Sequence, residues 1–207
     1  VADMNFPTVP TIPQAIAERA AHPAYGYFQA QDAYYNAIIH WHEAGYGTSG
    51  LTAECIGYEN GVLGGVVSAL RVFCRPGDSI IIQSPTYIGF THCAADNGWN
   101  LVLNPLIQDE NGVWRIDYRD LEEKVSRLKI HAAIFCSPHN PSGRVWEPWE
   151  IRNLMDIYQK YDVYVVSDEI WADLTMPGFH HTPTQMISED ARMRTVALYA
   201  PSKTFNL

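Results

Sequence analysis

Val163-Tyr-Val-Val-Ser167-Asp168-Glu169 opens as a β-branched and aromatic run and ends in two adjacent carboxylates. A run this apolar, without polar alternation, reads as a central strand buried on both faces. The carboxylate at its end then needs a cation or hydrogen-bond donors. Outward from this stretch, comparable runs fall at residues 54–58, 79–83, 100–103, 131–136 and 195–199, so that six strands are expected. Between them lie amphipathic stretches at residues 62–74, 88–97, 118–128 and 148–161, each long enough for a right-handed crossover. The alternation predicts an α/β domain with a largely parallel sheet. Several strands run into polar turns: Glu59-Asn-Gly61, Ser84-Pro-Thr-Tyr87, Ser137-Pro-His-Asn-Pro-Ser-Gly143, Ser167-Asp-Glu169 and Ala200-Pro-Ser-Lys203. Ligands of open α/β sheets bind outside the carboxyl ends of the strands, so these turns are expected to ring one crevice.

Residues 1–50 differ. Pro7, Pro10 and Pro13 suggest an extended arm, with helices near residues 12–21 and 31–43; residues 51–207 form the α/β part. The formal charge of -9 over 207 residues argues against nucleic acid or an anionic membrane surface as partner. No apolar run approaches the roughly 20 residues that cross a bilayer, and no secretory pattern opens the chain; a cytoplasmic enzyme acting on a small molecule is expected. Cys55, Cys74, Cys93 and Cys136 lack the paired spacing of a zinc site and read as small buried hydrophobes. No metal site is expected, and His40, His42, His180 and His181 read as surface histidines. The chain opens at Val1 without an initiator methionine and stops at Leu207, which reads as a fragment incomplete at both ends.

Taken singly, most candidate residues have a bland reading. A lysine after a strand, such as Lys203, is usually a solvated charge. Asp168 alone suits a salt bridge to an arginine. Asn140 sits where two prolines and a glycine fix the backbone, as in an Asx turn. Tyr87 follows Pro85 and could lay its ring on a planar ligand. The segment Glu59-Asn-Gly61-Val-Leu-Gly64-Gly65 precedes an apolar helix and offers backbone N–H groups to a phosphate, although a cap by Asn60 explains it as well. Cys136, His139 and Ser202 show no nucleophile elbow and no clear base, which argues against a hydrolase.

In combination the pieces resemble the fold-type I enzymes dependent on pyridoxal 5′-phosphate (PLP), the aminotransferase class I and II superfamily. The carriers are Asn140-Pro-Ser-Gly143, Asp168-Glu-Ile-Trp171 and Ser202-Lys203, with 28 residues from Asn140 to Asp168 and 35 on to Lys203. Val1-Ala-Asp-Met4, Tyr25-Gly-Tyr27, Gly143-Arg-Val-Trp146 and Ser202-Lys-Thr-Phe-Asn206 resemble the cysteine-S-conjugate (cystathionine) β-lyase branch. The resemblance implies a three-layer α/β/α domain with a mostly parallel sheet, in which Lys203 binds PLP covalently and serves as general base. It implies that Asp168 faces the ring nitrogen, Asn140 the ring 3′-oxygen and Tyr87 the ring face. Val62 and Leu63, through their backbone, and Ser202 would hold the phosphate. Tyr27 resembles a tyrosine that reaches the neighbouring subunit's phosphate, implying a homodimer with shared sites.

Two positions depart from the wider pattern. Trp171 stands where many transaminases have tyrosine and can donate only through its indole N–H. Ala200 replaces a frequent phosphate-binding serine. A further antiparallel strand and a domain with the arginine for the substrate carboxylate would lie beyond Leu207, which implies that residues 1–207 alone are poorly stable and weakly active. The implied reaction is β-elimination on cystathionine or a cysteine S-conjugate, giving a thiol, pyruvate and ammonia. The alternatives are an aminotransferase of an L-amino acid and a 2-oxo acid, and a PLP-binding regulatory protein.

Overall fold

Five of the six expected strands form, and they hydrogen-bond into one parallel sheet. The computed structural model describes residues 4–27 and 29–207. In chain order the elements are α1 (Thr11–Ala20), α2 (Asp32–Tyr46), a 3-10 turn (Ala53–Cys55), α3 (Val62–Phe73), β1 (Ser79–Ser84), α4 (Ile88–Asp96), β2 (Asn100–Pro105), β3 (Ile107–Gln108) and β4 (Trp114–Arg115). They continue as α5 (Tyr118–Leu128), β5 (Ala132–Cys136), α6 (Pro148–Lys160), β6 (Tyr164–Asp168), a second 3-10 turn (Thr184–Met186), α7 (Glu189–Arg194), β7 (Thr195–Leu198) and α8 (Pro201–Phe205). They divide into two compact units, one of residues 1–58 with 200–207 and one of residues 59–199.

In the larger unit the sheet order is β2-β1-β5-β6-β7, with every neighbouring pair parallel. Strand pleating sorts its side chains by parity. Ile81, Ala133, Phe135 and Val165 join Leu121, Val125, Ile151 and Leu154 of α5 and α6 in one core. Ile80, Ile82, Ala132, Ile134 and Val166 join Val66 and Leu70 of α3 and Phe90 and Ala94 of α4 in the other. The result is a three-layer α/β/α arrangement, and both faces of β5 are buried along its whole length. Asp117 caps α5 by accepting from the Asp120 N–H, and α6 opens on a capping box of Glu147 and Glu150, so each of these two helix starts has part of its free donors satisfied by side chains.

From β1 the chain moves outward to β2 and then returns to build β5, β6 and β7 on the opposite side. The sheet therefore has a topological switch point between β1 and β5, where loops leaving the carboxyl ends diverge and open a crevice. The loops that carry Tyr87 and Asn140 leave these two strands.

Residues 54–58 do not form the expected strand. Ala53–Cys55 is a 3-10 turn, and although Ile56 is extended at φ -109° and ψ 112°, none of the described strands pairs with it. Extended residues become a strand only through a ladder of inter-strand hydrogen bonds, which hydrophobicity alone does not supply. The turn expected at residues 200–203 is instead the start of α8, with Pro201 in its first turn, where a missing N–H costs nothing. The β3–β4 hairpin was not foreseen either, because two-residue strands are too short to show a period.

In the smaller unit, α2 ends at Gly47 in the left-handed conformation, φ 68°. α1 buries none of its residues, and the Tyr25 hydroxyl donates to the Ala20 carbonyl at 2.6 Å, fastening the chain back onto the end of that helix.

Candidate active site

The carboxyl ends of β1, β5 and β6 lie side by side, so the sheet gathers Tyr87, Asn140 and Asp168 at one end. Tyr87 caps the start of α4. Its ring is 38% exposed and rests edge-on against buried Phe90, with centroids 5.5 Å apart. The side chains of Tyr87 and Leu63 meet over Gly89: a Cβ there would lie 2.4 Å from Tyr87 Cε1 and 3.0 Å from Leu63 Cδ1. The first turn of α3 is thus beside the Tyr87 ring.

That first turn has no side-chain cap. Its N-cap is Gly61, at φ 77°, so Asn60 does not cap the helix, and among the described residues no side chain caps this helix start. A helix start of this kind suits an anion.

Asn140 projects from a loop that is tied down on several sides. The Ser137 N–H donates to the Asp168 carbonyl at 2.9 Å, His139 N–H to the Arg144 carbonyl at 2.8 Å, and Gly143 N–H to the His139 carbonyl at 2.7 Å. Buried Cys136 holds the loop from beneath: its thiol donates to the Pro138 carbonyl and accepts from the Asn140 N–H, both at 3.4 Å. Burial pushes this thiol's pKa up, so it is a protonated hydrogen-bonding group and no nucleophile. His139 is held near Ser142 Oγ at 2.7 Å, and burial lowers its pKa to about 4, leaving it neutral. Asn140 and Trp171 line a cleft of about 440 Å³, together with Leu174, Met176 and Phe179.

The two carboxylates that end β6 have opposite surroundings. Asp168 is 6% exposed, and its Oδ1 accepts from the Ile170 N–H at 3.1 Å. Among the described residues no arginine, lysine or histidine forms a salt bridge with it. Burial, helped by the neighbouring Glu169 charge, raises its pKa to about 6. Burial would raise Glu169 too, but donors outweigh it and its pKa is lowered. His181 Nε2 lies 2.7 Å from Oε2, Ser167 Oγ and the Thr184 N–H donate to Oε1 at 2.8 and 3.1 Å, and the Tyr199 hydroxyl donates to Oε2. The salt bridge to arginine that Asp168 alone suggested is absent among the described residues. A cationic ring nitrogen fits this buried carboxylate, and the uncapped α3 start fits a phosphate.

Lys203, Ser202 and Tyr27 belong to the smaller unit. Lys203 and Ser202 sit half-buried on α8, and the Tyr27 side chain is fully exposed. The histidines correct one expectation: His42 and His181 are buried. So is Cys74 along with Cys136, whereas Cys55 is exposed. The Glu169 cluster escaped the sequence reading, since His181 and Tyr199 are 12 and 30 residues from it. Its one visible signal was a second carboxylate at the end of a buried strand.

The family model described as aminotransferase class I and II matches residues 2–207. Cystathionine beta-lyase PatB of Bacillus subtilis is 37% identical over 207 residues, covering all of this chain and 53% of the relative. Protein MalY of Escherichia coli is 28% identical over 208 residues, with 100% and 52% covered. Cystalysin of Treponema denticola, solved with a pyridoxal 5′-phosphate cofactor, superposes with a TM-score of 0.95 at 34% identity, over 100% of this chain and 52% of its own. The PLP-bound C-S lyase of Staphylococcus hominis gives 0.91 at 32%, with 100% and 52% covered. The chain spans about half the length of the curated relatives it matches.

Proposed function

The chain belongs to the aminotransferase class I and II family, and from that membership we propose that it serves a PLP-dependent carbon–sulfur β-lyase. Its substrate is cystathionine or a cysteine S-conjugate, and with one water consumed the products are a thiol, pyruvate and ammonia. The observation that carries the cofactor reading is Asp168, a buried carboxylate without a cation among the described residues, one strand away from Asn140. The choice of a lyase is supported by likeness to cystathionine beta-lyase PatB and to the Staphylococcus hominis C-S lyase along the whole of this chain.

PLP, when bound, supplies an electron sink for the pair released as the substrate's Cα–H bond breaks. Each residue's task follows. Lys203 would hold the cofactor's aldehyde carbon through Nζ until the substrate's amino group takes its place, and the freed Nζ would then accept the Cα proton as the substrate's thiolate leaves Cβ. Asp168 keeps a proton on the ring nitrogen by supplying the compensating charge. Asn140 donates its amide to the ring 3′-oxygen from a loop whose backbone is already fixed, with Trp171 on the same cleft. Tyr87 stacks on the ring face. The amides of Val62 and Leu63, with the Ser202 hydroxyl, hold the phosphate. Tyr27 acts from the partner subunit of a cytoplasmic homodimer.

The same residues serve an aminotransferase as far as removal of the Cα proton. Purified natural protein incubated with cystathionine is expected to release pyruvate with no 2-oxo acid added. Turnover that starts only when a 2-oxo acid is supplied replaces the lyase with the aminotransferase; no turnover of amino acids at all removes both.

A further inference from the structure

The smaller unit raises the question of what aims the lysine. α8 has five residues, and an isolated helix below about 12 residues is marginal in water. The direction of Lys203 is therefore set by whatever grips the helix. At the end of α8, Asn206 takes the left-handed conformation, φ 56° and ψ 55°. The N–H of Leu207, just after it, returns to the Ser202 carbonyl at 3.2 Å. From this cap the Asn206 side-chain amide donates to two carbonyls near the chain start, Met4 at 3.1 Å and Phe6 at 2.9 Å. Beside it, Phe205 meets Trp41 of α2 edge-on, with centroids 5.4 Å apart.

We propose that Asn206 is a positioning residue for Lys203: one amide, using both of its N–H groups, clasps the N-terminal segment to the lysine-bearing turn and fixes the angle from which Nζ reaches the cofactor. Lys203 and Asn206 are three residues apart, about one helical turn, so a tilt at the clasp is passed to the lysine through a single turn. The proposal rests on the reading of Lys203 as the cofactor lysine. A general base must be held within about 0.5 Å of its productive position, and a helix this short has little stiffness of its own to do so.

The competing explanation is that asparagine is merely a residue that tolerates a left-handed cap. The two separate by substitution. Asn206→Gly keeps the left-handed backbone at no steric cost and removes the clasp. Asn206→Asp keeps the shape but cannot donate, and it sets a negative charge against two carbonyl oxygens. If Asn206 only caps the helix, both variants behave as wild type. If it clasps, the order is wild type, then Gly, then Asp.

The experiment uses the natural protein loaded with PLP, in wild-type, Asn206→Gly and Asn206→Asp forms. Borohydride trapping with peptide mass mapping identifies the cofactor lysine. The visible absorbance band and its pH midpoint report the lysine–cofactor bond, hydrogen exchange reports residues 4–8, and kcat and KM are measured separately. The clasp predicts faster exchange at residues 4–8, a displaced pH midpoint, and kcat lowered about tenfold with KM nearly unchanged, as for a reacting group moved by less than an ångström. Trapping at Lys203 in wild type with an unmoved band and kcat in both variants overturns the clasp alone, and a lowered melting temperature without those changes does the same. Absence of a trappable cofactor at Lys203 in wild type overturns the cofactor reading and the proposal with it.

Discussion

Asp168 and Glu169 are neighbours in sequence with opposite electrostatic fates, because strand pleating turns them toward different company. Glu169 gathers donors from His181, Tyr199, Ser167 and Thr184, while Asp168 has one backbone donor and no cation among the described residues. A shift from 3.8 to about 6 corresponds to a cost of about 3 kcal/mol for keeping the charged form buried. A raised acid binds its proton more tightly when folded. The cost is therefore fully present above pH 6, and it fades as pH falls through that value toward 4. In the cofactor-free protein, Asp168→Asn is expected to add about 1–2 kcal/mol at pH 8, less than the full cost because the new amide is itself buried, and to add nothing near pH 4. Urea unfolding at both pH values measures this; an equal effect at both, or a loss at pH 8, contradicts the account. Asp168, Asn140 and Lys203 stood out as candidates in the sequence because each lies in a short motif that joins one reactive group to turn-forming neighbours. The role of Cys136 could not, since a thiol that donates to one carbonyl and accepts from one amide depends on how residues 137–140 fold back over it.

Among the elements, the start of α6 does more than begin a helix. Glu150 is fully buried, accepts from Arg144 and from Arg115 at 3.0 Å, and takes the Glu147 N–H at 2.9 Å as half of the capping box. Arg115 comes from β4 and Arg144 from the loop that carries Asn140, so one carboxylate fastens a hairpin, a helix and a candidate cofactor loop. Removing one member of a buried ionic cluster leaves the others uncompensated, which costs about 3–5 kcal/mol. Glu150→Ala is expected to lower stability by about that amount, with Glu150→Gln milder because it still accepts hydrogen bonds. Thermal or urea unfolding of both variants checks it; a loss below about 1 kcal/mol in Glu150→Ala would show the arginines to be satisfied by solvent. The strands and long helices were legible because burial on two faces leaves continuous apolar runs, as in Ala132–Cys136. The hairpin that supplies Arg115 was not, since its partners are fixed by charge pairing and by a turn at Gly112, φ 75°. Residues 54–58 show the converse failure, an apolar run that has no ladder to join.

For the whole molecule, the sheet reversal between β1 and β5 explains why residues as distant in sequence as Tyr87 and Asn140 flank one crevice. The α/β class was legible, because alternating strand and helix periods announce it; the strand order was not, because periodicity does not say on which side of β1 the chain returns. The remaining question at this scale is whether the site is completed by a second copy. Tyr27 is fully exposed, and a site shared across a two-fold axis would employ one Tyr27 in each copy's crevice. Lys203→Ala and Tyr27→Phe, each expected to be nearly inactive alone, then carry complementary defects. A hybrid dimer would place both defects in one site and leave the other intact. Random reassortment of equal amounts makes about half of the dimers hybrid, each with one working site, so activity is expected to return to about a quarter of wild type. Co-expression with two affinity tags, followed by the pyruvate assay on the doubly tagged fraction, tests this directly, since that fraction is all hybrid and is expected at about half of wild type. Hybrids no more active than their parents would place Tyr27 outside a shared site, and a fully active Tyr27→Phe homodimer would remove it from the cofactor's contacts altogether.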